Sequence, residues 1–257
     1  MFKKLDQKIV TEYIDLYNSG LSCTKIGKIY SKTRNTIKYI LNSRGVKLRT
    51  QVSTARKYTL NENYFEVVDS ADKAYWLGWL CTDGHLTGYG FKLELQERDV
   101  EILEKLKISF GANNPIYYRE KVIKKSGNLS KTKALELHSV LLNKRLVCLG
   151  FASNKIYTIK PPLSFIPEEF HRDFWRGSIE GDGTITGQFC KGKYWCCKVK
   201  FTGNKFMVDG FIDFINKHFQ IQKLAKKYCS NTYEVSYHKQ DQLKQIFPLL
   251  YKDANLF

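Results

Sequence analysis

Two stretches of the chain, "YWLGWLCTDGHL" at residues 75–86 and "FWRGSIEGDGTI" at 174–185, carry the same phrase and each contains an Asp-Gly pair. Aligning Asp83 with Asp182 sets an offset of 99, and Trp76 then falls on Trp175, Gly78 on Gly177, Gly84 on Gly183, Thr87 on Thr186 and Gly88 on Gly187. On a helix, Gly78 and Thr82 share a face, as do Gly177 and Gly181, and small residues at that spacing let two helix backbones approach closely. Two such helices packed about a pseudo-twofold axis bring their C-terminal ends together, and Asp83 and Asp182 with them. Carboxylates crowded at the negative ends of two helix dipoles disfavour one another. A divalent cation removes that conflict, and oxygen ligands suit Mg²⁺. A single Asp-Gly is an ordinary helix-ending turn; two in register point to a shared metal site.

The surrounding elements repeat as well. With an offset of 100, "ALELH" (134–138) overlays "EVSYH" (234–238), and between these and the motifs lie the helical stretches "VEILEKLKISF" and "VDGFIDFINKHF". Each half reads helix, strands, helix, strands, helix, which is an internal duplication. The strands alternate: Phe91, Leu93 and Leu95 oppose Lys92, Glu94 and Gln96, while Cys197, Val199 and Phe201 oppose Lys198, Lys200 and Thr202. Sheets of this kind bury one face under helices and offer the other to solvent or a ligand. The fold class predicted is α+β, two pseudo-symmetric αββαββα repeats at 71–165 and 166–257. Lys92, Glu94, Lys198 and Lys200 are the expected DNA contacts on their open faces.

Ahead of the duplication, residues 8–42 follow a helical period. Ile9, Val10, Tyr13, Ile14, Leu16 and Tyr17 line one helix that "NSG" at 18–20 ends. Ser22 is a candidate N-cap for a helix over 23–30 with Ile26 and Ile29 inward. A third helix after Ser31 turns Ile37, Ile40 and Leu41 inward. Lys32, Thr33, Arg34, Asn35 and Lys38, at and before its first turns, carry the chemistry for base edges and phosphates. The spacing predicts a small all-α module at 1–45, and "SGLSCTKIGKIYSKTRNTIKYIL" resembles the helix-turn-helix segments of resolvases and transposases, whose last helix enters the major groove. Residues 46–70 are polar, basic and weakly periodic, and read as a linker.

Charge agrees with a nucleic-acid partner. The 257 residues carry a formal net charge of +17, and residues 1–60 alone hold thirteen Lys/Arg against three acids. Such an excess favours a polyanion. No apolar run has transmembrane length and "MFKKLDQKIV" lacks a signal-peptide core, so no membrane partner and an intracellular setting are expected. Seven cysteines, an odd number with no C-x-x-C pair, predict buried reduced thiols in place of a disulfide framework or zinc site.

The phrases "WLGWLCTDG" and "WRGSIEGDG", with the lead-in "PPLSFIPEEFHRDFWRG", resemble the paired nine-residue signature of the LAGLIDADG homing endonucleases over roughly residues 70–257. The resemblance implies a single-chain, monomeric enzyme whose saddle of antiparallel sheets straddles a long double-stranded DNA target. It implies site-specific phosphodiester hydrolysis with two or more Mg²⁺ ions (Mn²⁺ as a substitute) at the motif aspartates Asp83 and Asp182, and a role in intron mobility. Its setting would be a bacterial or phage-infected cytoplasm or nucleoid, or an organelle matrix. The family also uses active-site basic and polar residues, for which Lys155, Lys252 and Gln96 are the candidates. The family's penultimate acid is Glu180 in the second copy and Cys81 in the first, so Glu180 receives no essential role. A non-cleaving DNA-binding regulator and an RNA maturase are the alternatives on the same scaffold. The retained aspartates favour the enzyme, and an attached helix-turn-helix fits duplex DNA better than A-form RNA.

Overall fold

The first helix, α1 (Gln7–Asn18), ends where the sequence says it must. Gly20 takes a φ of +108°, its N–H donates to the Tyr17 carbonyl at 3.1 Å, and that of Leu21 donates to the Leu16 carbonyl at 3.0 Å. That glycine closure satisfies carbonyls the helix would leave open. Ser22 caps α2 (Cys23–Ile29) by accepting the Lys25 N–H, and Thr33 caps α3 (Arg34–Ser43) by accepting the Thr36 N–H. Between them Gly27 is obligatory, because a Cβ there would lie 2.5 Å from the Lys32 carbonyl oxygen. Tyr13, Tyr17, Ile26, Ile37 and Leu41 form the core of this unit, with Val46 and Leu48 packed against it. Ile29, expected inward, is 59% exposed; the tight α2–α3 turn faces Gly27 inward and leaves Ile29 on the open side.

The computed structural model of the chain describes residues 7–48, 57–122, 127, 129–152, 155–190 and 194–252, and the chain divides into two units between Lys57 and Tyr58. The expected linker at 46–70 is therefore shorter at its C-terminal end. Tyr64, Phe65 and Val68 are buried in the core of the second unit, where Tyr64 stacks on Phe110 with ring centroids 4.0 Å apart.

The second unit repeats one pattern. The first repeat runs α4 (Ala71–Thr82), β1 (Gly84–Thr87), β2 (Gly90–Gln96), α5 (Val100–Ser109), β3 (Ile116–Val122), β4 (Leu129–His138) and α6 (Val140–Cys148). After a short helix, α7 (Lys155–Thr158), the second runs α8 (His171–Asp182), β5 (Gly183–Cys190), β6 (Tyr194–Gly203), α9 (Lys205–Phe219), β7 (Lys226–Cys229), β8 (Thr232–Tyr237) and α10 (Gln240–Tyr251). Both sheets are antiparallel with matching strand orders, β1-β2-β4-β3 and β5-β6-β8-β7. The α+β duplication is thus as expected. The alternation holds too: Phe91, Leu93 and Leu95 are buried, as are Val199 and Phe201, whereas their neighbours on the strands reach solvent.

Helix α4 is buried on all sides from Ala74 to Cys81. A helix apolar all round has partners all round, and its closest partner is α8. A Cβ on Gly78 would stand 2.2 Å from the Phe174 carbonyl oxygen, and one on Gly177 2.1 Å from that of Tyr75. The two backbones touch, which only glycine permits at those positions.

The cysteines depart from the expectation of buried reduced thiols. Cys196 is disulfide-bonded, and among the described free thiols Cys81 alone is buried, while Cys148 and Cys229 are exposed.

Candidate metal centre and nucleic-acid interface

Asp83 is the C-cap of α4 and Asp182 the last residue of α8, so the crossing of these helices fixes both. A Cβ on Gly181 would lie 2.0 Å from Thr82 Oγ1 and 3.0 Å from Asp83 Oδ2. The carboxylate of one motif therefore rests over the backbone of the other, one residue before Asp182. Asp83 is half-buried and Asp182 exposed.

Each aspartate lines its own hollow. Asp83 shares one with Glu94 and Gln96 at the end of β2, with Arg98 and Asp99, and with Glu180 from the opposite helix. Asp182 shares the other with Thr202 and Asn204 at the end of β6, with Thr232, and with Cys81 and Thr82 from the opposite helix. The pairing Gly84↔Leu93 in the first sheet corresponds to Gly183↔Phe201 in the second, so Gln96 and Asn204 occupy equivalent positions. Asn204 was not foreseen. It caps α9, accepting the Met207 N–H at 3.0 Å and donating to the Ile159 carbonyl at 2.9 Å.

Three further side chains near the crossing escaped the sequence reading. The Tyr75 phenol donates to Glu180 Oε2 at 2.5 Å, the Arg176 guanidinium lies over the Tyr75 ring at 5.1 Å, and Arg176 faces Asp173 at 3.1 Å with both buried. Burial pushes the Asp173 carboxyl up, against the pull of Arg176 and Arg172. Burial likewise raises the Tyr75 phenol, and the negative charge of Glu180 adds to it, so Tyr75 stays a donor.

The basic candidates are less centred. Lys155 opens α7, and its side chain lies outside the described residues. Lys252 is exposed at the end of α10, and its carbonyl accepts from Arg172 at 3.2 Å. Arg172 stands near the start of α8, about 15 Å along the helix axis from Asp182. The structure thus sets the Lys252 backbone beside the end of α8 that carries no motif aspartate, because α10 packs along that helix. Gln96 does line the Asp83 hollow.

The first sheet's open face is an ion network and not a row of free lysines. Glu94 accepts from Lys92 at 2.8 Å, Thr132 at 2.8 Å and Lys121 at 3.2 Å, with Arg119 3.8 Å away. Burial alone would raise the Glu94 carboxyl, but the hydrogen bonds from Lys92, Thr132 and Lys121 and the charge of Lys92 hold it down at about 2. On the second sheet Lys198 is exposed, and Lys200 faces Glu234 at 3.5 Å with the Tyr228 ring 5.9 Å away. In the N-terminal unit Lys32, Arg34, Asn35 and Lys38 are all exposed, and the Thr33 hydroxyl is committed to its cap.

The donor set limits the kind of divalent-ion site that can form here. Among the described residues no group of three or more His, Cys, Asp or Glu could hold an ion unaided. Hard carboxylate oxygens from one or two aspartates, with water and phosphate completing the sphere, are nonetheless the way Mg²⁺ is usually bound. The residues fit such an ion and do not fit a self-contained structural metal. Among the described residues no helix is long and apolar enough to cross a membrane.

No protein-family model matches the sequence, and no curated protein matches it. Solved structures similar to this chain include the I-LtrWI LAGLIDADG homing endonuclease bound to target DNA, at 14% identity over 75% of this chain and 84% of that one, with a TM-score of 0.45. The I-GzeII LAGLIDADG homing endonuclease in complex with its DNA target is 13% identical over 70% and 84%, with a TM-score of 0.44. The meganuclease I-SmaMI bound to uncleaveable DNA is 13% identical over 70% and 83%, also at 0.44. At these values the likeness bears on the fold at most, and the functional reading rests on the site itself.

Proposed function

We propose that this chain is a site-specific endonuclease of double-stranded DNA, acting as a single polypeptide with one aspartate for each strand. The observation that carries this reading is the helix crossing, which brings Asp83 and Asp182 to the ends of two touching helices, each beside an equivalent hollow. Two hollows related by an internal duplication match a duplex, whose strands are themselves related by a twofold axis. The net charge of +17 supplies the attraction to a polyanion.

Divalent ions, Mg²⁺ in the first place, would supply Lewis-acid stabilisation of the charge that develops on the phosphate oxygens. Asp83 and Asp182 would hold them, and Gln96 stands where it can orient water or a phosphate oxygen on the Asp83 side. Lys198, Lys200 and the Lys92–Glu94 network would meet the DNA on the sheet faces, and Lys32, Arg34, Asn35 and Lys38 would contact a separate segment of the target. Phosphate contacts position the duplex and base contacts select it.

A Mg²⁺-dependent cleavage screen on a randomised duplex library tests the proposal. We expect a defined subset of sequences to be cut by the wild type and none by the Asp83→Asn/Asp182→Asn chain. Selective retention of duplexes without cutting under any divalent ion would identify a non-cleaving DNA-binding protein instead.

A further inference from the structure

Helix α3 turns three sides away from its core, and they differ in chemistry. Ile37, Ile40 and Leu41 face the core of the N-terminal unit. At about 100° per residue, the side opposite them carries Asn35, Tyr39 and Asn42. These follow at steps of four and three and form one ridge. Arg34 and Lys38 flank it on one side, Thr36 and Ser43 on the other. The hydroxyls of the second flank are committed: Thr36 shares a hydrogen bond with Thr33 Oγ1 at 2.9 Å, and Ser43 donates to the Ile40 carbonyl at 2.8 Å. The three ridge side chains are exposed and make no hydrogen bond among the described residues. Tyr39 stands out from them, 75% exposed.

The ridge is presented on a fixed support. Thr33 caps α3, Ser31 makes the turn before it at a φ of +52°, and Gly27 of α2 lies against the Lys32 carbonyl. A carboxamide offers a donor and an acceptor side by side, the match for N7 and the N6 amino group of adenine in the major groove. An aromatic ring offers apolar surface to the thymine methyl. Charge favours a polyanion here, since residues 7–48 hold eight Lys/Arg against two acids. Arg34 and Lys38, one turn apart on the flank, suit the phosphates of one groove wall. The deep, narrow major groove of A-form RNA would not admit the ridge.

We infer that α3 reads bases through Asn35, Tyr39 and Asn42, and that Arg34 and Lys38 hold the phosphate backbone beside them. The ligand of the N-terminal unit is then a short A·T-rich segment of duplex DNA. It carries two adenines within about four base pairs, because Asn35 and Asn42 stand about 10.5 Å apart along the helix and base pairs about 3.4 Å. This rests on the DNA reading of the proposed function and names the residues that select one segment of the target.

The test is a binding selection by the full chain from a randomised duplex library in EDTA, which removes the divalent ions that cutting needs. We expect the retained duplexes to share a short A·T-rich block. Asn35→Ala and Asn42→Ala should each lose the adenine preference at one position of that block. Each should weaken binding to the selected duplex about tenfold, equivalent to about 1.4 kcal/mol, and leave binding to a duplex with G·C at that position unchanged. Tyr39→Ala should lose a thymine preference that Tyr39→Phe keeps. Lys38→Ala should weaken binding to all duplexes alike and lower the salt slope by about 1. All these side chains are exposed, and unchanged melting will show that the variants fold. The absence of an A·T block, a block indifferent to both asparagine variants, or a loss from Asn35→Ala shared equally by all duplexes would overturn the inference. So would retention of RNA in place of duplex DNA through Tyr39. A chain that selects the block through Asn35 and Asn42 but cuts no duplex with Mg²⁺ would refute the endonuclease reading and leave the ridge standing. A chain that cuts the same sites with and without both asparagines would do the reverse.

Discussion

Replacing Gly78 by alanine should separate the two helices on which the site depends. The added methyl would stand 2.2 Å from the Phe174 carbonyl oxygen and 2.8 Å from the Ser178 nitrogen. Both are backbone atoms, so no rotamer change relieves the clash, and non-bonded contact distances require the helices to part by about 1 Å. Overpacking of this kind costs about 1–3 kcal/mol, and lost dispersion around the rings buried on α4 places Gly78→Ala at the upper end. The better helix propensity of alanine returns about 1 kcal/mol. The net loss is about 2 kcal/mol, and in a domain of this size each kcal/mol lowers Tm by about 2–4 °C, so the fall should be about 4–8 °C. Gly177→Ala, facing the Tyr75 carbonyl at 2.1 Å, should behave alike. The double variant should lose less than the sum, because one parting of the helices accommodates both methyls. Gly88→Ala meets no atom within 4 Å and serves as the control, with a stability change inside about 0.5 kcal/mol. Thermal melts by circular dichroism and urea midpoints provide the readout. A Gly78→Ala chain as stable as Gly88→Ala, or a fully additive double variant, would refute the touching backbones.

Glu94 titrates at about 2, below its ordinary 4.5, so its ion pairs contribute stability above about pH 4.5 that is lost as the pH falls toward 2. Glu94→Gln should therefore flatten the acid limb of the urea midpoint, and an unchanged limb would contradict the network. The same substitution releases Lys92 and Lys121 toward phosphate, while Arg119 stays with Glu136, so DNA binding should tighten and its salt dependence steepen. In the N-terminal unit Thr33→Ala loses the cap of α3 and should cost about 1 kcal/mol. Arg34→Ala with Lys38→Ala should leave melting unchanged and reduce the salt slope of DNA binding by about 2.

The motif helices were legible because their constraint is local: glycine at a helical spacing is visible without knowing the partner. Asn204 was hidden for a geometric reason. The β5–β6 hairpin is longer than β1–β2, so Gln96 and Asn204 stand 108 residues apart, whereas the motifs stand 99 apart and the last strands 100. A constant offset passes over that position. Glu94 was correctly placed on the open face by alternation, but Lys121 and Arg119 reach it from β3, and sequence alone does not give the cross-strand register that seats them. Residues 58–70 read as linker because Tyr64, Phe65 and Val68 are too few to show a period, although together they wedge into the core. Lys252 follows from the family resemblance alone, and only the packing of α10 along α8 shows which end of α8 it meets. The Tyr75–Glu180 bond joins residues 105 positions apart and has no sequence signal beyond the repeat itself.

The most direct test uses a duplex recovered from the cleavage screen, carried on a supercoiled plasmid and given to Asp83→Asn and Asp182→Asn chains at matched occupancy with Mg²⁺. Each variant should bind as the wild type does and make no double-strand break. If either variant loses binding while cutting normally at equal occupancy, the paired aspartates are not the cleavage site.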